Sequence, residues 1–431
     1  MSDDLQARDR RVLWHPFTQH AAPGDPLSVV GAQGAHLVLA DGRRVLDGIA
    51  SWWTCLHGHG HPRLVQAIAA QAARLDHVHF AGVTHAPAVE AAERLLARAP
   101  QGLTRVFFSD DGSTAVEVAV KMALQAQAQR GQPQRTGYIA FEHAYHGDTV
   151  GALSVGDPGE FASPFGPLTF PVARAPVPAG EAGVERCLAR LAALLAERGE
   201  RTAAVVIEPR VQGAGGMRIH PASFLRGVAA LARQHGCLLV ADEVFTGLHR
   251  TGPCFAVETA GVAPDLLCVA KGLSGGMLPL AATLASDEVW RAFLDPQLAR
   301  AFLHGHSYTA NPIACAAAAA SLALLDEPAT RERIAALERV HGARLPGLAR
   351  HPAVAGTRGL GTLGVVELAA QDGGYFAGAA RSLARDLLDR GLLVRPLGAV
   401  VYLLPPLATT EQDLQQAYDA LAEGLDALPA R

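Results

Sequence analysis

Two charged residues, Asp242 and Lys271, each close a short apolar run. Leu238-Leu239-Val240-Ala241 leads into Asp242, and Leu266-Leu267-Cys268-Val269-Ala270 leads into Lys271. Runs rich in Leu and Val, without polar alternation, predict buried strands of a parallel sheet. Each strand would then deliver one charge at its carboxyl end, the side of an open α/β sheet where ligands bind. A lone buried Lys or Asp is costly, so each needs a partner. One chemistry uses such a pair: pyridoxal phosphate forms a Schiff base with a lysine, while a carboxylate keeps its pyridine nitrogen protonated. A structural ion pair between neighbouring strand ends is the competing reading, and the pair alone does not decide between them.

The elements that would position this pair follow from the surrounding sequence. A strand at Val106–Ser109 runs through Asp110-Asp111-Gly112-Ser113 into a long helix. Glycine lets a ligand approach the backbone, and the free N–H groups of a helix start can hold a phosphate, with the Ser113 and Thr114 hydroxyls as further donors. An ordinary N-cap explains the same residues. The segment 137–156 reads as a strand followed by a polar loop, in which Tyr145 could stack on a flat ring beside His146 and Asp148 could bond within the loop. Val205–Ile207 is another buried strand, ending in Glu208, with a glycine-rich turn after Gln212. A further strand falls at 278–286, and a loop with Ser307 and Thr309, two more candidate phosphate ligands, enters an alanine-rich helix at Pro312. Helical periodicity marks 64–75, 87–97, 182–197 and 222–235, and 157–180 reads as a long surface excursion.

Both ends of the chain differ in character from this centre. Residues 12–20, VLWHPFTQH, are aromatic, precede any regular element, and either anchor the chain or line a site. Asp41-Gly42 signals a hairpin between Ala35–Ala40 and Arg44–Asp47. In GIASWWTCLHGHGHP (48–62), one of Trp52 and Trp53 is expected in the core and the other at a cleft. His57, His59 and His61 alternate like metal ligands, but the glycines and Pro62 make a turn and no carboxylate or Cys completes a set, so no metal is expected. The last hundred residues read as helices near 330–345, 375–390 and 411–427 with β segments at Gly361–Leu368 and Leu392–Leu404. The turn Pro396-Leu397-Gly398 would fold the second segment into a hairpin beside Arg395, within a smaller α+β domain.

Composition sets the bounds. The 431 residues exceed one typical domain, and 49% hydrophobic against 18% charged residues suits a well-buried globular enzyme. A net charge of −4 offers no basic surface for nucleic acid or membrane. Six cysteines without a CxxC spacing predict reduced thiols in a cytoplasmic protein. The polar N-terminus carries no signal-peptide pattern, and the longest apolar run, Pro312 to Leu325, is too short to span a bilayer.

Taken together, DDGSTAVEVAVKMA, FEHAYHGDT, VIEPRVQGAGGM, ADEVFTGLHRTG, VAKGLSGG and HGHSYTANP resemble, in order, the class III aminotransferases of pyridoxal-phosphate fold type I, from Trp14 to Pro406. The resemblance implies an α/β fold: a large cofactor domain (51–325) with a mostly parallel central sheet, and a smaller α+β domain built from both termini (1–50 and 326–431). It implies that Lys271 binds the cofactor, Asp242 pairs with the pyridine nitrogen, the Gly112 and Ser113 backbone holds the phosphate and Tyr145 stacks on the ring. Ser307, preceded by His306, falls where relatives carry a phosphate-binding threonine that reaches the second subunit of a homodimer with shared active sites. Trp52 and Gly305 would line the substrate pocket, and Arg395, near Tyr402, would bind a substrate carboxylate.

Within the class, LWHPFTQH, DGIASWWTCLHGHGHP, FAGVTHAPAVE and VRPLGAVVYLLPP are most similar to members of biotin biosynthesis that aminate 7-keto-8-aminopelargonate from S-adenosylmethionine. Those members carry HPYT where this chain has His15-Pro16-Phe17-Thr18, so a phenol that serves substrate recognition lacks its hydroxyl at Phe17. Lysine as the donor, or another class III ω-aminotransferase activity, therefore stays open. A cofactor-binding regulator would predict an added DNA-binding domain, and the sequence has no such segment.

Overall fold

The structure, a computed structural model, describes residues 2–22, 24–157, 159, 163–369 and 378–428. Its centre is a seven-stranded sheet. Across the sheet the strands run Leu103–Ser109, Ala281–Ser286, Leu266–Val269, Leu238–Asp242, Thr202–Ile207, Gly137–Phe141 and Ala173–Ala175. Only Ala281–Ser286 is antiparallel to its neighbours. Leu238–Asp242 lies between two parallel partners, with Asp242 opposite Cys268 and Ala241 opposite Ile207.

The non-alternating strands have a simple cause: both faces of the sheet are covered. Val205, Ile207, Leu239, Ala241, Leu267 and Val269 point into one core, which includes Phe224 and Val228 of the helix Ala222–Gln234 and Leu191 of the helix Val184–Arg198. Ala204, Val206, Leu238, Val240, Leu266 and Cys268 point into the other, against Val116, Ala119 and Ala123 of the helix Gly112–Gln129. With no solvated face, the pleat leaves no polar period in the sequence. The parallel strands also send their carboxyl ends to one edge of the sheet. Asp110 to Ser113, the Tyr145 loop, Glu208, Asp242 and Lys271 therefore converge from five separate stretches of chain.

A smaller α+β unit joins the two termini. Arg44–Asp47 pairs antiparallel with His36–Leu39, across the turn at Gly42 that the sequence signals, and parallel with Leu392–Leu393. Val354–Leu360, Leu363–Leu368 and Val400–Leu403 form a second antiparallel sheet. The hairpin expected around Pro396-Leu397-Gly398 is reduced to a single antiparallel bridge, Leu397 opposite Val400. Leu392–Leu393 and Val400–Leu403 join different sheets, and the segment between them crosses from one to the other.

Other expectations change in detail. A helix, Ser2–Val12, precedes the aromatic segment 12–20, which was expected to come before any regular element. The strand Val354–Leu360 was not expected; its two glycines and partly exposed edge position weaken the β pattern. The excursion 157–180 contains the edge strand Ala173–Ala175. The helix expected at 375–390 is described as Gly378–Asp389, and residues 375–377 lie outside the described residues. All six cysteines are free and buried. Among the described residues no single helix is long and apolar enough to cross a membrane.

Candidate active site

The converging strand ends enclose a cavity of about 730 Å³. Lys271 stands just beyond the strand Leu266–Val269 with a φ of 46°, a region costly for a residue with a Cβ and often found where function requires it. Its Nζ lies 4.6 Å from the centroid of the Trp53 ring and 5.9 Å from that of Phe245. Burial lowers its pKa to about 8, even though the negative charges of Asp242 and Glu208 pull the other way.

Asp242 is held from two sides. Its Oδ2 accepts the His146 Nδ1–H at 2.6 Å, and its Oδ1 accepts the Val244 N–H at 3.0 Å. Burial alone would push His146 toward neutrality. The hydrogen bond to Asp242 and the charges of Asp242 and Glu208 outweigh it, and the His146 pKa is raised. Glu208 accepts the N–H groups of Tyr145 (3.0 Å) and Gly213 (2.9 Å), which ties two loops to one strand end; burial pushes its pKa up to about 7. Burial also pushes the Tyr145 phenol up, assisted by Asp148, its hydrogen-bond partner in the loop.

Across the cavity, Asp111 caps the helix Gly112–Gln129 by accepting the Thr114 N–H at 2.8 Å. The N–H groups of Gly112 and Ser113, in the first turn, have no intrahelical acceptor, and both residues line the cavity. The approach is tight. A Cβ on Gly112 would lie 2.6 Å from Val244 Cγ1, and one on Gly147, at φ 131°, would lie 2.2 Å from Ser113 Oγ. Ser113 Oγ is 2.8 Å from Thr149 Oγ1, so the two hydroxyls sit together at this end. The cradle is thus open to a small anionic group and closed to anything bulkier on the protein side.

The third wall is a turn in which Ala50, Ser51, Trp52 and Trp53 have φ of 48°, 45°, 63° and 74°. For L-residues the left-handed region costs roughly 1–2 kcal/mol per residue. The turn places Trp53 in the cavity wall and leaves Trp52 outside the lining. Trp53 is buried, lines the cavity and donates Nε1–H to Tyr402 Oη at 2.9 Å. Trp52 is half-buried, 5.5 Å edge-on from Phe17 and 4.4 Å from the guanidinium carbon of Arg395. Arg395 makes no ion pair among the described residues.

The structure therefore brings together Lys271, Asp242, Tyr145, Gly112 and Ser113, while Phe17, Trp52 and Arg395 form a separate cluster that does not line the cavity. Tyr402 is fully buried behind Trp53 and does not line the cavity. Gly305, His306 and Ser307 do not line it either within one chain; His306 Nε2 lies 3.6 Å from Asp110 Oδ1, on the outer side of the cradle. Of the alternating histidines, His57 bonds Ser321 at 3.0 Å and packs edge-on to His61 with ring centroids 6.1 Å apart, whereas His59 turns away to bond Asp47 at 2.9 Å. Sequence reasoning did not assign roles to Trp53, Phe245, His146 and Glu208. Glu208 had a readable signal, because it ends a buried strand just as Asp242 does; the other three are placed by loop conformation.

The class III aminotransferase family model matches residues 19–425. The chain belongs to this family, whose enzymes depend on pyridoxal phosphate. A curated relative from Synechococcus elongatus, adenosylmethionine-8-amino-7-oxononanoate aminotransferase, is 49% identical over 96% of this chain and 98% of its own length. The crystal structure of the enzyme of the same name from Methanocaldococcus jannaschii superposes with a TM-score of 0.94 at 34% identity, covering 100% of both chains. A pyridoxal-phosphate-bound amine transaminase from an uncultivated Pseudomonas species gives a TM-score of 0.91 at 32% identity, over 97% of this chain and 99% of its own.

Proposed function

We propose that this chain transfers the amino group of S-adenosylmethionine to 7-keto-8-aminopelargonate (8-amino-7-oxononanoate), giving 7,8-diaminopelargonate in biotin biosynthesis. The observation that carries this reading is the setting of Arg395. A half-buried Arg395, without an ion pair among the described residues and 4.4 Å from the centroid of the Trp52 ring, would offer a guanidinium fork to a carboxylate on a long flexible acceptor. The similarity to relatives of that printed name supports it.

The cavity's residues fit pyridoxal phosphate. The free N–H groups of Gly112 and Ser113, the Ser113 hydroxyl and a glycine at 147 suit its phosphate; Asp242 suits the ring nitrogen; Tyr145 supplies an aromatic wall; Lys271 supplies the amine. When bound, the cofactor supplies an electron sink for the carbon that loses its proton. The chain's own residues do the rest. His146 fixes the Asp242 carboxylate and stabilises its charge, so that Asp242 can hold a proton on the ring nitrogen. Lys271, with a pKa brought down to about 8, holds enough neutral amine near neutral pH to act as nucleophile and base. Its Nζ removes the proton from the donor's amine-bearing carbon in the first half-reaction and delivers one to the acceptor's carbonyl carbon in the second. Trp53 and Phe245 keep water from Nζ. Because donor and acceptor use one cavity in turn, the kinetics are ping-pong.

Gly305, His306 and Ser307 complete the site of a partner subunit in a cytoplasmic homodimer. Leu303 and Tyr308, which flank them, are 70% and 64% exposed in the single chain, an apolar surface that dimerisation would cover. Phe17 supports a second reading of the donor: the ring packs on Trp52 without a hydroxyl, and lysine would serve in place of S-adenosylmethionine. Mixing holoenzyme separately with each donor and following the lysine-bound cofactor's visible band decides. Bleaching by S-adenosylmethionine alone supports the proposal, and bleaching by lysine alone changes the donor. Bleaching by neither, with reaction of a simple ω-amine, overturns the substrate assignment.

A further inference from the structure

Among the described residues, the turn Ala50–Trp53 is the one place where four successive non-glycine residues share a positive φ. In a right-handed helix or a strand, adjacent side chains diverge. Here the turn sets two adjacent tryptophans against two different cations, Trp53 against Lys271 in the cavity and Trp52 against Arg395 outside its lining. Strained backbone of this kind persists only where its surroundings over-determine it.

What holds the turn is a cluster with no role in the chemistry above. Asp47, 0% exposed, accepts the Ile49 N–H at 3.3 Å, the Ser51 Oγ–H at 2.7 Å and the His59 Nε2–H at 2.9 Å. One carboxylate thus grips the entry of the turn, its second residue and a separate loop. That loop is itself fixed, since the His59 backbone pairs with Gly34 at 2.7 and 3.0 Å. The strand that ends in Asp47 pairs with Leu392–Leu393, which leads to Arg395, so Trp52 and Arg395 are placed from one frame. A Cβ on Gly48 would lie 2.8 Å from the Leu393 carbonyl oxygen, so this junction has no slack. Burial disfavours the Asp47 charge, but the bonds from His59 and Ser51 outweigh it and its pKa is lowered, while the bond to Asp47 raises that of His59 to about 10.

We propose that Asp47 and His59 form a clasp that keeps Ala50–Trp53 left-handed and thereby sets where Trp53 stands in the cavity wall and Trp52 against Arg395. Both are positioning residues, and the inference rests on reading that cavity as the active site.

The test uses purified holoenzyme and compares wild type, His59→Ala, and His59→Ala combined with Ala50→Gly. Glycine adopts positive φ without penalty, so it relieves the first of the four strained positions and should lessen the demand on the clasp. His59→Ala should raise the acceptor KM about tenfold and lower kcat by a smaller factor, because Trp52 and Trp53 move while Lys271 and Asp242 keep their own supports. The near-ultraviolet circular dichroism of cofactor-stripped protein should weaken, since Trp52 and Trp53 lose their fixed setting. Adding Ala50→Gly should return both readouts to within about threefold of wild type. An unchanged KM and dichroism in His59→Ala, or no rescue by Ala50→Gly, overturns the clasp. If His59→Ala does not fold, Asp47→Asn replaces it; failure of both to fold also overturns the clasp, because the pair would then support the whole domain. Wild-type enzyme that reacts with neither the donors nor the acceptor breaks the functional reading instead, whatever the variants do.

Discussion

Replacing Arg395 by Ala should separate the two half-reactions. Its guanidinium lies 4.4 Å above Trp52 and has no acidic partner among the described residues, so a substrate carboxylate is the group that would complete it. Hydrogen bonds to a charged group contribute about 1.5–3 kcal/mol. At about 1.4 kcal/mol per tenfold, their loss lowers kcat/KM for the acceptor by roughly 10- to 150-fold. S-adenosylmethionine carries its carboxylate on the carbon that bears the reacting amine, whereas the acceptor carries its carboxylate at the far end of a long chain. Only the second half-reaction should therefore take the full loss. Single-turnover measurements on the visible band, run once with donor and once with acceptor on the pyridoxamine form, give the two values separately. Arg395→Lys keeps the charge without the fork and should fall between wild type and Ala. Equal losses in both half-reactions would refute the reasoning, since Arg395 would then act only by packing on Trp52.

The remaining predictions concern the cavity floor. Lys271→Ala should leave no cofactor fixed to the chain by borohydride, and should lower kcat by at least about 10³-fold, read by mass spectrometry and steady-state assay. In cofactor-stripped protein Lys271 has a pKa of about 8, below its ordinary value, so the neutral amine is scarce at low pH. The rate of pyridoxal phosphate capture should rise about tenfold per pH unit below that value and level off above it, read by stopped-flow absorbance. Gly147→Ala places a Cβ 2.2 Å from Ser113 Oγ at a φ of 131°, and should weaken cofactor affinity at least about tenfold by equilibrium dialysis. Glu208, raised to about 7 by burial, is protonated in the folded chain where the unfolded chain is already ionised. The Glu208 contribution to stability should fall as pH rises from about 4.5 to 7, so the stability difference between wild type and Glu208→Gln should shift against wild type across that window in urea titrations.

The pair Asp242 and Lys271 was legible because a strand buried on both faces leaves a continuous apolar run, and a charge at its end stands out. Gly112 and Ser113 were legible in the same way, as a turn between a strand and a helix. The wall formed by Trp53 was not. Choosing between adjacent tryptophans requires the backbone conformation of the turn, and four positive φ values at Ala50–Trp53 follow no local propensity. They exist because Asp47 and His59, brought together by the fold, hold them. His146 reaches Asp242 only because the strand Gly137–Phe141 ends at the same sheet edge one strand away, across Thr202–Ile207, which depends on sheet order. The misread hairpin at Pro396–Gly398 has the same origin. Two β segments joined by a short turn normally pair with each other, but here Arg44–Asp47 and Leu363–Leu368 provide other partners. The edge strand Val354–Leu360, with one neighbour and two glycines, carries too little apolar pattern to be seen.

The pairing of Arg44–Asp47 with Leu392–Leu393 also sets an order on biosynthesis. The first strands to leave the ribosome wait for one of the last. All seven strands of the central sheet are synthesised before Leu392, so that sheet can close while the N-terminal ribbon still has an open edge. An exposed strand edge invites pairing with other chains. A nascent chain halted between Ser286 and Leu392 would thus hold a closed central sheet beside an unfinished N-terminal ribbon, and the Asp47 frame would close only once Leu392–Leu393 had emerged.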